Sequence, residues 1–268
     1  EPNLKEGPGG LRDVQTLRWM ALRVLGQRGL EPLVALGQFG ADEYATLERE
    51  RRALSRLRWG LHLVAGRREE RLRFDHQKAL AQRLGHVDDT GNLAVEQMMQ
   101  GFYRAAALVL RIGERLLQRF EEQLDGAAVP EPVDDRFELH RGYLAARDPH
   151  WPRDAADVFA LFAVWAEHEA PARSTQAITG QRVRGLHSLT ARALAEALPR
   201  IPDYEVAGPE LRAMFMALLR GAQPVRSLER MARLGVLGRW LPAFAQVSGR
   251  MQFDLFHVYT VDQHTLAV

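Results

Sequence analysis

The chain has 268 residues, enough for one large domain or two smaller ones with hydrophobic cores of their own. Its 46% hydrophobic and 26% charged residues are ordinary globular composition, and with no cysteine it has neither disulfides nor thiolate nucleophiles, so any metal site must use His, Asp or Glu. The net charge is only +2, and the basic residues, all arginine except Lys5 and Lys78, alternate with acids, as in Glu48-Arg49-Glu50-Arg51-Arg52 and Arg67-Arg68-Glu69-Glu70-Arg71; that suits solvated helix faces and argues against a nucleic-acid phosphate stripe.

No apolar run approaches the ~20 residues of a membrane helix. The first residues, Glu1-Pro2-Asn3-Leu4, carry neither an initiator Met nor a signal-peptide pattern. A soluble, cytoplasmic protein is the expectation.

Lys5-Glu6-Gly7-Pro8-Gly9-Gly10-Leu11-Arg12-Asp13 reads as a glycine-rich loop feeding a helix over 14–25, with Leu17, Met20, Ala21 and Val24 at three- and four-residue steps. A second helix is predicted over 42–65, a third over 75–84 ended by Gly85, and a long one over 93–124 with Asn92 as its cap. Met98, Met99, Phe102 and Tyr103 sit at core spacing in the long helix. These four read as an antiparallel bundle. Residues 125–135, with two prolines and no period, are the linker candidate. Helical patterns return over 154–167, 186–198, 209–219 and 225–234, and a last one starts near Gln252. Phe137 to Leu144 has the look of one short strand, but no sheet is expected, and no internal repeat is present. The expected fold class is all-α: a bundle followed by a second helical region.

In the loop, Gly7, Gly9 and Gly10 would let backbone approach a ligand, while the helix start offers unpaired amides and a positive dipole end. Lys5 and Arg12 add charge where a triphosphate would sit, and Asp13 would orient Arg12 or help hold a cation. The loop is neither a Walker A nor a dinucleotide fingerprint. A plain turn capping a helix is the competing explanation. Near the other end, His257 and His264 are seven residues apart, nearly on one helix face, with Asp262 between them. That begins a divalent-metal site and cannot complete one; the rival reading packs His257 beside Phe253 and Phe256 and leaves His264 in water. The other histidines, among them His62, His140 and His187, show no ligand spacing. Asp88-Asp89-Thr90-Gly91-Asn92 reads as a turn and helix cap.

Asn3-Leu4-Lys5-Glu6-Gly7-Pro8-Gly9-Gly10-Leu11-Arg12-Asp13, Leu63-Val64-Ala65-Gly66-Arg67-Arg68-Glu69, Phe74-Asp75-His76-Gln77, Gly91-Asn92 and Met251 to Thr265 together resemble the PII uridylyltransferase/uridylyl-removing enzymes. The resemblance implies an internal segment of a nitrogen-sensing enzyme. That enzyme moves uridylyl from UTP onto a tyrosine of the signalling protein PII at a nucleotidyltransferase site, using Mg2+ or Mn2+. It hydrolyses the group off again in an HD-type domain, and it reads glutamine through ACT domains.

On this resemblance, 1–128 would be the helical domain after the transferase core, 129–250 a helical connector and 251–268 the start of the HD domain. Lys5, Gly9, Gly10, Arg12 and Asp13 would be nucleotide contacts, and His264 and His257 metal ligands. The sequence departs from the full pattern: it has no Asp-x-Asp pair, no adjacent His-Asp dyad and no ACT repeats. Neither catalytic site would be complete in this segment. The alternatives are a non-catalytic helical regulator on the same scaffold and an adenylyltransferase acting on glutamine synthetase, whose family carries a related glycine-rich segment.

Overall fold

A computed structural model of the chain describes residues 1–168, 183–254 and 259–267. Among them are twelve α-helices and one small four-stranded sheet, so the mainly helical expectation holds. The chain forms two compact units, one of residues 1–120 with 247–266, the other of 121–246.

In the first unit, α1 (Leu11–Leu25) buries Val14, Leu17 and Ala21, a stripe at helical spacing, and Gly26 closes it in the left-handed conformation with its amide on the Ala21 and Leu22 carbonyls. After the short α2 (Pro32–Ala35), α3 (Ala41–Ala65) begins where Glu43 reaches back to accept from the Gly40 amide at 3.0 Å. Its buried face is Leu47, Leu54, Leu57 and Leu61. The packing of α4 (Phe74–Arg83) on α3 is close enough that Leu80 fills the space a side chain at Gly60 would need.

The long α5 (Ala94–Asp125) has 32 residues, about 48 Å of rise. It forms the floor of this unit with Val95, Met98, Met99, Phe102, Ala106, Val109, Leu116 and Phe120, all buried. Truncating one of the fully buried leucines here would cost about 2–5 kcal/mol. Its start corrects one expectation. Asn92 is not the cap; the Asp88 carboxylate accepts from the Ala94 amide at 2.7 Å, while Asn92 pairs its backbone with Asp89.

In the second unit the sequence misses a sheet. β1 (Glu131–Pro132), β2 (Phe137–His140), β3 (Tyr143–Ala146) and β4 (Gly185–Leu186) pair in that order, antiparallel except for β3 with β4. The β2–β3 turn is Arg141-Gly142, both at positive φ (52° and 83°), as a two-residue hairpin requires. Four-residue strands, one ending in two alanines and turned by an arginine, give almost no alternating signal, and that is why only part of the hairpin is legible.

The helices of this unit are α6 (Ala155–Glu167), α7 (Ser188–Ala197), α8 (Pro209–Arg220), α9 (Pro224–Arg233), α10 (Val236–Trp240) and α11 (Pro242–Val247). Their hub is Trp240, fully buried, with the rings of Phe159, Tyr204 and Phe215 at 4.7, 5.5 and 5.6 Å.

The last helix, α12 (Val261–Ala267), starts later than the pattern from Gln252 suggests. Met251 and Phe253 are apolar because they pack on the first unit's core, not because they line a helix face.

Candidate functional site

The glycine-rich loop is built by its own backbone. Asn3 Oδ1 accepts from the amides of Lys5 and Glu6 at 2.9 and 2.7 Å, and the Leu11 and Arg12 amides donate to the Leu4 and Lys5 carbonyls. The Gly10 amide donates to Gly7, the Asp13 amide to Gly10, and the Gly9 amide to the Asp13 carboxylate at 2.7 Å. The expectation of unpaired amides at the start of α1 is therefore corrected, because the loop folds over the helix end and uses those donors itself. Two more bonds, Leu4 N–H to Glu70 O and Leu72 N–H to Pro2 O, sew the loop to residues 70–72.

The glycines also have a reason inside the protein. A side chain on Gly9, at φ 72°, would start 1.9 Å from the Ala106 carbonyl oxygen of α5. On Gly10 it would meet the Gly7 and Lys5 carbonyls at 2.7 Å. The close approach these residues permit is to protein backbone.

What the loop presents outward is charge. Arg12 donates to both oxygens of Glu6, at 2.7 and 3.2 Å, Lys5 Nζ lies 3.5 Å from the same carboxylate, and Arg12 also stands over the Trp19 ring at 5.9 Å. Hydrogen bonding to Arg12 holds the Glu6 carboxyl below its usual range, and Glu6 in turn raises Arg12. Glu6, which carries no signal of its own in the sequence, thus occupies both cations proposed to meet a phosphate. Six residues separate Glu6 from Arg12 with no helical relation, so only the folded loop shows the pair.

Behind the loop, Arg58 makes a two-pronged ion pair with Glu70 at 2.6 and 2.5 Å, with His62 Nε2 at 4.0 Å. Gln77, buried, donates to the Leu72 carbonyl at 2.8 Å.

At the far end of the sequence, residues 248–254 lie along α5. Asp262 accepts from the Gly249 amide at 3.1 Å, and His264 sits exposed on α12. His257 lies outside the described residues. Among the described residues no group of three or more His, Asp or Glu side chains is arranged to hold a metal ion. His264 belongs to no such group among them.

Two histidines that look scattered in the sequence do meet. His140 and His187 are 5.1 Å apart, His140 on Glu138 at 2.7 Å and His187 on Glu122 at 3.3 Å; Glu122 also accepts from the amide and hydroxyl of Ser188.

Comparison with known proteins decides the family. The family model of GlnD PII-uridylyltransferase matches residues 1–117, and that of the uridylyltransferase GlnD third domain matches residues 137–240. The chain belongs to the GlnD uridylyltransferase family.

Within this family it is similar along its whole length to the bifunctional uridylyltransferase/uridylyl-removing enzyme of Xanthomonas axonopodis pv. citri, 64% identical over 269 residues. The proteins of the same description from Xanthomonas oryzae pv. oryzae and Thiobacillus denitrificans are 62% and 42% identical, over 269 and 271 residues. The chain spans about 30% of the length of each of these relatives. No solved structure matches it. No described helix is long and apolar enough to cross a membrane.

Proposed function

We propose that this chain is the central part of a cytoplasmic, nitrogen-sensing enzyme that transfers uridylyl from UTP to a tyrosine of PII and hydrolyses it off again. The observation that carries this reading is 64% identity, over the whole chain, to a bifunctional uridylyltransferase/uridylyl-removing enzyme.

The first unit would serve the transferase side. Lys5 and Arg12 would leave Glu6 to meet the triphosphate, a guanidinium being well suited to phosphate oxygens. Gly9, Gly10 and Asp13 would hold the loop in the shape that presents them. Residues 129–250 would form the connector, and 251–268 would open the HD-type region, with His264 and His257 as its first ligands. Magnesium or manganese, and glutamine as effector, would act at parts of the enzyme beyond these residues. With neither an Asp-x-Asp pair nor a His-Asp dyad, the segment alone is expected to be inactive.

The test is to incubate the full-length protein with PII or with glutamine synthetase, magnesium and labelled UTP or ATP. Label from UTP on PII is the expected result. Transfer from ATP to glutamine synthetase would instead support an adenylyltransferase. No transfer from either nucleotide, with PII shown to be competent, would favour a non-catalytic regulator. Uridylylation by residues 1–268 alone would overturn the expectation of inactivity.

A further inference from the structure

Two parts of the chain that are far apart in sequence rest on one short stretch of α5. The glycine-rich loop rests on it through Gly9, whose missing side chain leaves room for the Ala106 carbonyl. Residues 248–254 rest on it one turn earlier. A side chain on Gly249, at φ 69°, would start 3.1 Å from Tyr103 Cβ and 3.4 Å from the Gln100 carbonyl oxygen. Tyr103 and Ala106 are three residues apart, about 4.5 Å of helix rise.

The second contact is pinned by polar groups. Gln100 Nε2 and Arg104 Nε both donate to the Ser248 carbonyl at 3.1 Å, and Glu96 accepts from the Phe253 amide at 3.1 Å. Arg250 donates to the Gly91 carbonyl at 2.6 Å, and the Phe253 ring stacks on Phe74 at 4.1 Å. Asp262, the second residue of α12, closes the strap. One of its oxygens accepts from the Gly249 amide at 3.1 Å and the other from the Ser248 hydroxyl at 3.4 Å, while the Val261 amide donates to the Arg250 carbonyl at 2.7 Å.

We propose that residues 96–106 of α5 are a common seat for the nucleotide-side loop and the strap, and that Asp262 and Arg104 are positioning residues that hold α12 on that seat for uridylyl removal. This rests on the reading that α12 opens the uridylyl-removing region. Asp262 acts through the strap: it fixes where α12 begins, and with it the position of His264 on that helix. Two activities that act in opposite senses on one substrate then rest on one rigid element, each held to it by contacts of its own.

The test uses the full-length protein with D262A, D262N and R104A. Removal is measured on uridylylated PII, transfer with UTP and PII, and hydrogen exchange at the Gly249 and Val261 amides. D262A takes away the acceptor of the Gly249 amide, whereas D262N keeps one oxygen to accept it. The expected result for D262A and R104A is faster exchange at Gly249 and removal turnover down at least tenfold, with transfer within twofold. D262N is expected to stay within threefold of wild type in removal.

Faster exchange with removal unchanged would overturn the positioning role. Loss of both activities together with a lowered Tm would overturn it too, reducing Asp262 to a plain fold contact. A wild-type protein that transfers but does not remove would sink the functional reading itself, a failure visible before any variant is made.

Discussion

Glu6 is where local chemistry and the proposed role conflict. It neutralises Lys5 and Arg12 in the folded loop, and a triphosphate would have to displace it. Its ion pair is exposed, so it holds weakly against a multivalent anion in salt. In the full-length protein, E6Q is therefore expected to bind UTP several-fold more tightly than wild type, read by calorimetry without PII. Unchanged or weaker binding would remove Lys5 and Arg12 from the phosphate site.

The loop's residue types are legible as a glycine-rich turn before a helix. What they are for is not: Gly9 looks in sequence like a residue cleared for a ligand, and in the structure it is cleared for the Ala106 carbonyl of a helix nearly a hundred residues on. Composition cannot tell the two uses apart, since both need only the absence of a Cβ.

At the scale of elements, the connection between α3 and α4 holds the loop, and it does so with acids clamped by arginines. The hydrogen bond from Arg58 holds the Glu70 carboxyl below its usual range, with Arg68 and His62 adding to it. Hydrogen bonds from the Arg71 and Glu70 amides do the same for Glu69. A carboxyl lowered on folding stabilises fully above its unfolded value of about 4.3 and loses that contribution as pH falls through the folded value. The Tm of the chain should thus hold from pH 7 to about 5 and drop below about 4. In E70Q that acid limb should be shallower, with Tm already lower at pH 7. An E70Q profile parallel to wild type would show that the Arg58 pair adds no pH-linked stability.

The bounds of the long helices are legible to within three residues because apolar period, left-handed glycines and first-turn acids all agree in α1, α3, α4 and α5. The sheet is not, since its strands are four residues or fewer and are stabilised by pairing across 131–186.

At the scale of the molecule, the two units have separate hubs: the α1–α3–α5 leucines and aromatics in one, the cluster around Trp240 in the other. W240A should cost roughly 3–5 kcal/mol and speed hydrogen exchange in α6 and α8 while the α1 and α3 amides keep their protection. Equal loss in both units would mean a single cooperative core. The return of residues 247–266 to the first unit across the whole of the second is a feature no local pattern announces.

By itself the sequence determined the class, the course of the long helices and the family, because period, caps and motif order are properties of the chain read in one dimension. The tertiary structure decided which donors of the loop remain for a ligand, that Glu6 occupies the loop's cations and that Asp262 closes a strap on α5. Those depend on groups brought together from distant positions, where a hydrogen bond or a steric limit acts over about 3 Å of space and leaves no trace in spacing along the chain.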